Sequence, residues 1–265
     1  MTSGADMAAN IAALRGFVGD AAAKGAQFLA TPENTFLMEA PGAPRTLFTQ
    51  EAHPGVAAAA EMAKQYGVWL LIGSVAIQDS GFRMQDSGKT YNRSLLFNPA
   101  GEVVAAYDKI HLFDVDIGDG QSYKESAKVM PGGKAVVAPL PAAIGMTICY
   151  DIRFPHLYRA LAKAGAEIIA IPAAFTQTTG EAHWHVLNRV RAIENGCFVI
   201  APAQTGTHPG GRKTFGHSLI IDPWGRVLAD GGTAPGVVMA ELDMAEVAKV
   251  RAKLPSLMHD RDYIF

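Results

Sequence analysis

A cysteine at the end of an apolar run is the strongest chemical signal in this sequence. Cys149 follows the apolar segment 143–148, and the residues from Tyr150 to Pro155 come directly after it. This order predicts a strand that ends in a thiol, a sharp turn, and a helix with proline at its first position. The dipole at a helix N-terminus favours a thiolate over a thiol. Although an isolated cysteine on an apolar strand is usually a small core residue, the position of Cys149 indicates a nucleophile.

Two charged residues occupy similar strand ends elsewhere in the chain. Glu33 follows the apolar segment 28–32, and Lys109 lies between two apolar segments. Taken alone, Glu33 would be a loop glutamate and Lys109 a lysine whose stem covers apolar surface. A thiol nucleophile, however, needs a base that collects its proton and a cation that lowers its pKa. Together with Cys149, these residue types predict attack on an amide carbonyl, with further donors for the oxyanion.

A third charged residue lies in a long polar segment. The segment 119–126 is longer than a simple connection requires, and we expect it to form a pocket wall. Glu125 belongs to this segment. Composition alone favours a solvated side chain for Glu125.

Three further residues are candidates for substrate binding. Arg153 lies four residues after the nucleophile, where its guanidinium could hold a substrate carboxylate in a bidentate pair. An ion pair of Arg153 with Asp151 or Glu167 is an equally weighted alternative. Phe175 and Thr176 follow a predicted strand, and we expect both to line the pocket.

The composition limits the class of protein. The chain has 265 residues, of which 49% are hydrophobic and 18% charged, and its formal net charge is −2. This is enough apolar material for a large α/β core. A near-neutral chain without a basic block does not suit nucleic acid or an anionic membrane surface as a partner. The chain also lacks the run of about eighteen apolar residues that a membrane span needs.

Cysteine and histidine spacing gives no sign of a cofactor. The two cysteines, Cys149 and Cys197, lie far apart, and residues 1–6 do not resemble a secretory signal, so we expect a cytoplasmic protein. Neither CxxC nor HExxH occurs, and His183 and His185 would point to different faces of a helix. We therefore expect no metal and no other cofactor.

The chain repeats itself, and the repeat predicts the architecture. Segment 94–103 matches 218–227, both with the hairpin turn Asn/Asp-Pro-x-Gly, and segment 25–32 resembles 165–172. Each half reads as helix, strand, helix, strand and hairpin. The predicted helices are about 7–23, 54–66, 155–164 and 182–195, and the strands before the hairpins are 68–73 and 197–201. Two such halves predict one α/β domain, residues 1–265, built as a four-layer α-β-β-α sandwich with an internal pseudo-two-fold repeat.

The two halves differ at their beginning. The strand that leads to Cys149 opens the second half, whereas the first half begins almost directly with its helix. We therefore expect the first N-terminal strand to be absent and one sheet edge to be exposed.

Three segments around these residues carry a resemblance to a known family. Residues 31–34, 107–113 and 148–155 resemble the nitrilase superfamily, the carbon–nitrogen hydrolases. The similarity covers essentially the whole chain, and the three motifs occur in the family's order. The resemblance implies an α-β-β-α sandwich and a Glu-Lys-Cys triad, in agreement with the fold predicted from the repeat.

The resemblance also implies a role for each residue. Glu33 would be the general base, Lys109 the oxyanion stabiliser and Cys149 the nucleophile. Glu125 matches a second family glutamate that orients the substrate and supports the lysine. The backbone N–H of Tyr150 would be a second oxyanion donor. The implied activity is cysteine-dependent hydrolysis of a small carboxylate-bearing amide to an acid and ammonia through a thioester.

Within the superfamily the chain is most similar to the Nit branch, which contains deaminated glutathione amidase and ω-amidase. The residues that carry this likeness are 154–155, 182–184, 191–194, 203–206 and 216–218, and the last two stretches favour the former enzyme. One departure is His185, where related sequences carry glutamate.

Several alternatives to that activity stay open. They are an ω-amidase acting on 2-oxoglutaramate, another carbon–nitrogen hydrolase acting on a carbamoyl amide or a nitrile, and a catalytically idle interaction domain. A glutamine amidotransferase fits less well, because its nucleophile turn usually needs glycines and neither neighbour of Cys149, Ile148 or Tyr150, is glycine. The family resemblance further implies a homodimer or a higher homo-oligomer that associates through the nucleophile-bearing helices and the C-terminal tail, 254–263.

Overall fold

Two β-sheets with a repeated strand order form the centre of the molecule. The computed structural model describes residues 1–79, 81, 86, 88–118, 122–139 and 142–264. The described strands, numbered in chain order, are β1 (Phe28–Ala30), β2 (Trp69–Ile77), β3 (Tyr91–Phe97), β4 (Val103–Asp108), β5 (Asp114–Asp116), β6 (Ser122–Lys124), β7 (Val136–Ala138), β8 (Ile144–Met146), β9 (Ile168–Ala170), β10 (Phe198–Ala201), β11 (Thr205–Thr207), β12 (Lys213–Phe215), β13 (Leu219–Ile221) and β14 (Val227–Asp230).

The strand pairing confirms the predicted internal repeat. The first sheet has the order β1-β2-β3-β4, and the second has the order β14-β13-β10-β9-β8-β7. In the first sheet a parallel pair, β1 with β2, continues into the antiparallel pairs β2–β3 and β3–β4. In the second sheet β9, β10, β13 and β14 repeat the same sequence of one parallel and two antiparallel pairs.

The two sheets differ at the edge where the sequence predicted a difference. β8 pairs in parallel with β9 and continues into β7. Across the described ranges, no strand pairs with the corresponding outer edge of β1. Cys149 thus follows a strand that has a partner on each side.

Helices cover the outer face of each sheet. They are α1 (Met7–Ala23), α2 (Pro54–Tyr66), α3 (Pro155–Lys163), α4 (Gln177–Asn195) and α5 (Ala245–Lys253). α4 begins before the predicted position 182, because Thr176 caps it by accepting a hydrogen bond from the Thr179 N–H. Gly196 ends it in the left-handed conformation. No helix in the described part of the chain is long and apolar enough to cross a bilayer.

Alternating side chains of the first sheet separate two cores. Leu70 and Ile72 of β2 pack in one cluster with residues of α1 and α2. Leu71, between them, packs in a second cluster with residues of the second sheet and of α3 and α4. Because successive strand residues face opposite sides, β2 has helices on one face and the second sheet on the other. This confirms the predicted α-β-β-α layers.

Candidate active site

The predicted nucleophile occupies a strained turn directly beyond β8. Cys149 is the first residue of a 3₁₀ turn, Cys149–Arg153. Its φ of 49° lies in the left-handed region, which residues with a Cβ rarely adopt. Its N–H donates to the carbonyl of Pro172 at 2.8 Å. The following helix begins at Pro155, so the predicted order of strand, thiol, turn and helix is confirmed.

A buried carboxylate that the sequence did not single out holds this turn. Asp151 Oδ2 accepts hydrogen bonds from the Ile148 N–H at 2.9 Å and the Tyr107 hydroxyl at 2.7 Å. Asp151 Oδ1 accepts from the His111 N–H at 3.0 Å and lies 2.7 Å from His111 Nδ1. The Asp151 side chain is fully buried. Asp151 therefore links the nucleophile turn to the segment that follows β4.

Close backbone contacts hold the Glu33 loop against β2. The Thr31 hydroxyl accepts a hydrogen bond from the Gly73 N–H at 2.8 Å. The Asn34 N–H donates to Ser74 Oγ at 2.8 Å. A Cβ on Gly73 would lie 2.0 Å from the Thr31 carbonyl oxygen, so only glycine lets strand and loop approach this closely. Glu33 is thereby directed inward at the end of β1.

Lys109 joins two carboxylates at the end of β4. Its Nζ donates to Glu33 Oε1 at 2.9 Å and to Glu125 Oε2 at 2.9 Å. Asn92 Nδ2 donates to both carboxylates, at 2.9 Å to Glu33 and 3.0 Å to Glu125. Lys109 is 2% exposed and Glu33 is 3% exposed. The structure thus brings together the predicted base, cation and second glutamate, and it adds Asn92, which carries no charge that would mark it in a sequence.

Glu125 is held rather than solvated. It begins a 3₁₀ turn, Glu125–Ala127, directly after β6. Its Oε2 accepts a hydrogen bond from the Phe113 N–H at 2.7 Å, and its side chain is 16% exposed. The composition-based expectation of a solvated Glu125 is therefore wrong. Of the polar segment 119–126, residues 119–121 lie outside the described ranges.

Burial and charge together set the protonation of this cluster. Burial would raise the pKa of Glu33, but the charge and hydrogen bond of Lys109, the Arg212 charge and a hydrogen bond with Cys149 together hold that pKa below its ordinary value. Burial would lower the pKa of Lys109, but Glu125 and Glu33 raise it well above its ordinary value. At neutral pH the two groups are a carboxylate and an ammonium.

The thiol behaves differently from the sequence expectation. Burial raises the pKa of the Cys149 thiol well above its ordinary value, the Glu33 charge raises it further, and Lys109 acts in the opposite direction. The expectation that a helix dipole lowers this pKa is wrong, because the cost of burying a thiolate dominates. Cys149 is therefore a protonated thiol beside an ionised carboxylate, and each group shifts the pKa of the other.

The cluster lies at the wall of a cavity of about 480 Å³, which Tyr150, Phe175 and Thr176 also line. Phe175 packs against Trp184 with ring centroids 5.0 Å apart. Phe175 and Thr176 lie at the cavity wall, and their contact with substrate stays a prediction.

Arg153 does not line this cavity. Its Nη2 lies 3.2 Å from His183 Nδ1, and its guanidinium stacks over the Phe175 ring at 5.4 Å. Among the residues that the structure describes, Arg153 forms no ion pair with Asp151 or Glu167. The ion pair that the sequence offered as the structural alternative for Arg153 is therefore not observed in the described residues.

A different arginine lines the cavity. Arg212 Nη2 donates to the Ala174 carbonyl at 2.6 Å, and its guanidinium lies over the Tyr123 ring at 5.7 Å. Arg212 Nε is buried and has no hydrogen-bond partner within the described part of the chain. The sequence carries only a weak signal for this residue, a cation directly after the turn Pro209–Gly211.

Within the described part of the chain, one group of side chains could hold a metal ion, and it lies outside this cavity. The group consists of His185, His217 and Asp230. None of the three lines the cavity beside Cys149.

Comparison with known proteins agrees with the fold. Residues 1–252 match the family model described as carbon–nitrogen hydrolase. A deaminated glutathione amidase of Synechocystis sp. is 41% identical over 267 residues, which cover 98% of this chain and 95% of that protein. The Homo sapiens deaminated glutathione amidase is 42% identical over 207 residues, which cover 77% of this chain and 63% of that protein.

Solved structures give the same answer. The Caenorhabditis elegans NitFhit protein superimposes with a TM-score of 0.88 at 32% identity. The superposition covers 98% of this chain and 63% of that protein. Saccharomyces cerevisiae Nit3 is a member of branch 10 of the nitrilase superfamily and superimposes with a TM-score of 0.81 at 26% identity. The superposition covers 96% of this chain and 91% of that protein. The chain therefore belongs to the carbon–nitrogen hydrolase family.

Proposed function

We propose that this hydrolase is an amidase whose nucleophile is Cys149 and whose general base is Glu33. One observation carries the proposal. An ionised, buried Glu33 lies beside a protonated thiol, while Lys109 and the Ala174 N–H hold its two oxygens, the latter at 2.9 Å from Oε2. A carboxylate held in this way is positioned to take the thiol proton.

In the first half of the reaction an acyl–enzyme forms. The Cys149 sulfur attacks the amide carbon as its proton passes to Glu33. The developing oxyanion receives hydrogen bonds from Lys109 Nζ and from the Tyr150 N–H, each donor contributing about 2.7–4 kcal/mol. Glu33 then gives its proton to the departing nitrogen, the C–N bond breaks, and a thioester remains.

In the second half water releases the acid. Glu33 takes a proton from a water molecule that attacks the thioester, and the same donors stabilise the second oxyanion. The C–S bond then breaks and the proton returns to sulfur. Because the pKa of the thiol is raised, the sulfur is deprotonated as it attacks rather than beforehand. Glu125 and Asn92 keep Lys109 and Glu33 aligned throughout.

The charge of the cavity supports an anionic substrate. Among the described residues that line it, the cations outnumber the carboxylates: they are Arg45, Lys109, Lys124, Lys128 and Arg212, against Glu33, Glu39 and Glu125. The curated relatives reported above carry the name deaminated glutathione amidase. We propose a carboxylate-bearing amide of this kind as the substrate. Arg212, with its unpaired Nε, fits a carboxylate anchor better than Arg153, whose anchoring role was a sequence prediction.

Product analysis tests the substrate. In deaminated glutathione the cleaved amide nitrogen belongs to a cysteine residue, so its hydrolysis releases 2-oxoglutarate and cysteinylglycine rather than the ammonia expected from the sequence, whereas 2-oxoglutaramate releases ammonia. The kcat/KM values of four compounds are compared: deaminated glutathione, 2-oxoglutaramate, a ureido acid and a nitrile. A preference for deaminated glutathione supports the proposal, and a preference for 2-oxoglutaramate supports the ω-amidase alternative.

Two variants test the chemistry. Cys149→Ala removes the nucleophile and abolishes turnover. Glu33→Gln keeps substrate binding and loses the base, so turnover falls while the dissociation constant of the substrate stays within about threefold. Wild-type activity in either variant would overturn the assignment. Inactivity of the wild-type chain on all four substrates would favour the idle interaction domain.

We also propose that residues 1–265 act as a single cytoplasmic domain that self-associates. Val186, Val190 and Ile193 of α4 are exposed apolar residues. Met258 and Tyr263 of the tail are 79% and 80% exposed. A second copy of this chain, in a homodimer whose interface includes α4 and this tail, is the simplest partner for these surfaces. Light scattering of the wild-type chain and of Val186→Glu tests it, since a monomer in both contradicts self-association through α4.

A further inference from the structure

A group of potential metal ligands lies where α4 meets the end of β14. His185 of α4, His217 before β13, and Asp230 of β14 each place one ligand atom within 4.8 Å of the others. His185 Nε2 lies 2.9 Å from Asp230 Oδ2, and His217 Nδ1 lies 2.9 Å from Asp230 Oδ1. Two imidazoles thus face one carboxylate. Sequence spacing did not reveal the group, because its members lie far apart along the chain.

We propose that His185, His217 and Asp230 bind a zinc ion. Zinc binds histidine nitrogen and carboxylate oxygen at about 2.0–2.2 Å, which in a tetrahedron separates ligand atoms by about 3.3 Å. Both imidazoles face one oxygen, since His185 Nε2 and His217 Nδ1 lie 2.9 and 3.1 Å from Asp230 Oδ2, so these two separations open by about 0.4 and 0.2 Å to admit the ion. A water molecule completes the tetrahedron, since the three side chains are 37%, 24% and 34% exposed.

Backbone contacts fix two of the three ligands. The His217 N–H donates to the Gly232 carbonyl at 2.7 Å, and the His217 carbonyl accepts from the indole N–H of Trp184, also at 2.7 Å. Asp230 Oδ1 accepts from the Gly232 N–H at 2.9 Å. Ligands held by backbone lose little freedom when a metal binds.

The surroundings of the group also suit a metal. The Phe215 ring stacks on His217 with centroids 4.5 Å apart and meets the edge of His185 at 5.9 Å, so one side of the group is apolar. Zinc takes the lone pairs of His185 Nε2 and His217 Nδ1, the two nitrogens that donate to Asp230 in the metal-free chain. Each imidazole therefore changes tautomer as zinc binds, its ring proton moves to the other nitrogen, and two hydrogen bonds are exchanged for metal–ligand bonds.

Zinc at this site connects α4 to the β13–β14 hairpin. An ion that binds only the native chain stabilises it in proportion to its occupancy. Because the group is separate from the cavity, zinc affinity does not depend on catalysis. The test of the site and the tests of the amidase can therefore fail independently.

Competition with a chromophoric zinc chelator measures the affinity. The full-length chain carrying Cys149→Ala is used, so that the nucleophile cannot ligate the metal. We expect one equivalent of zinc to bind. His185→Ala and Asp230→Asn each weaken binding at least tenfold, because altering even an outer partner of a metal ligand costs about 10- to 100-fold. The matched control, His183→Ala, removes a histidine two positions earlier on α4 and leaves the affinity unchanged.

A third ligand variant and thermal unfolding test the site even if one variant folds poorly. His217→Asn is the third ligand variant, since asparagine tolerates the left-handed conformation at φ 55°. Zinc raises the Tm of the parent and of His183→Ala, and it does not raise the Tm of the ligand variants. Absence of saturable binding, equal affinity in parent and His185→Ala, or an equal loss in His183→Ala overturns the site.

Discussion

Arg212 provides the sharpest test of how the cavity selects its substrate. Its Nη2 donates to the Ala174 carbonyl, and its buried Nε has no hydrogen-bond partner in the described ranges. A substrate carboxylate would satisfy that nitrogen. Arg212→Gln removes the charge but keeps a side chain that can donate a hydrogen bond to Ala174. The variant therefore removes the anchor with little change to the backbone that holds Glu33.

The expected magnitude follows from the contact that is lost. A hydrogen bond to a charged group contributes about 1.5–3 kcal/mol, and 1.36 kcal/mol corresponds to a factor of ten. The loss of one such bond from Arg212→Gln lowers kcat/KM about 10- to 150-fold. Because the carboxylate is bound equally before and during the reaction, the loss appears mainly as a higher KM.

Two substrates and a matched variant make the assay decisive. Steady-state kinetics compare 2-oxoglutaramate with pentanamide, a neutral amide of similar length, in wild type, Arg212→Gln and Arg153→Gln. We expect Arg212→Gln to lose activity on the anionic amide only and Arg153→Gln to resemble wild type. Equal losses of Arg212→Gln on both amides would show a structural role. Selective loss in Arg153→Gln instead would restore Arg153 as the anchor and refute the reasoning.

Three further predictions concern protonation and the nucleophile turn. Alkylation of Cys149 by iodoacetamide should keep accelerating above pH 9.0, the ordinary thiol pKa, because burial raises its pKa; a plateau at lower pH contradicts this. His53 caps α2 by accepting the Gly55 N–H, and burial lowers its pKa from 6.5 to about 4. Between those values the unfolded chain binds a proton that the native chain does not, so stability falls as pH drops through this window. His53→Asn should keep the cap and show a smaller fall in Tm, and an unchanged fall would exclude His53 as its source. Asp151→Asn should cost about 1–3 kcal/mol in urea unfolding, since an amide N–H₂ meets buried donors, and it should lower kcat. A smaller cost than that of Tyr107→Phe, which removes a single donor, would contradict this role of Asp151.

The repeat was predictable because its signals are local. Asn98 Oδ1 accepts hydrogen bonds from the backbone N–H groups two and four residues later, at 3.0 and 2.9 Å. Asp222 Oδ1 does the same in the second hairpin, at 3.0 and 2.8 Å. A side chain that satisfies its own turn marks that turn in any sequence. The halves could therefore be aligned without coordinates.

The positions of the triad candidates were predictable for a related reason. Glu33, Lys109 and Cys149 each follow an apolar strand, and strand ends of packed sheets meet at common edges. A buried charge at such a place is costly unless another charge offsets it. The presence of each residue therefore strengthened the prediction that the other two belong to the same site. Their roles come from the family resemblance, and the variants described above test them.

The rest of the site depends on packing between distant segments. Partners on other elements bring three residues into the site: Asn92, Asp151 and Arg212. Their neighbours along the chain give no indication of this position. The pKa of the Cys149 thiol is a further example. Its local context, a turn before a helix, favours a lowered value, whereas burial, which only the folded chain establishes, raises it.

The hydrogen bond from the Ala174 N–H to Glu33 Oε2 joins residues 141 positions apart, one from each half of the repeat. The Glu33 carboxylate, the proposed base, is consequently oriented only after both sheets have docked. During refolding, either half can regain its secondary structure without a competent base. Recovered turnover is thus a reporter of completed assembly, and it will lag behind the return of the far-ultraviolet circular dichroism signal.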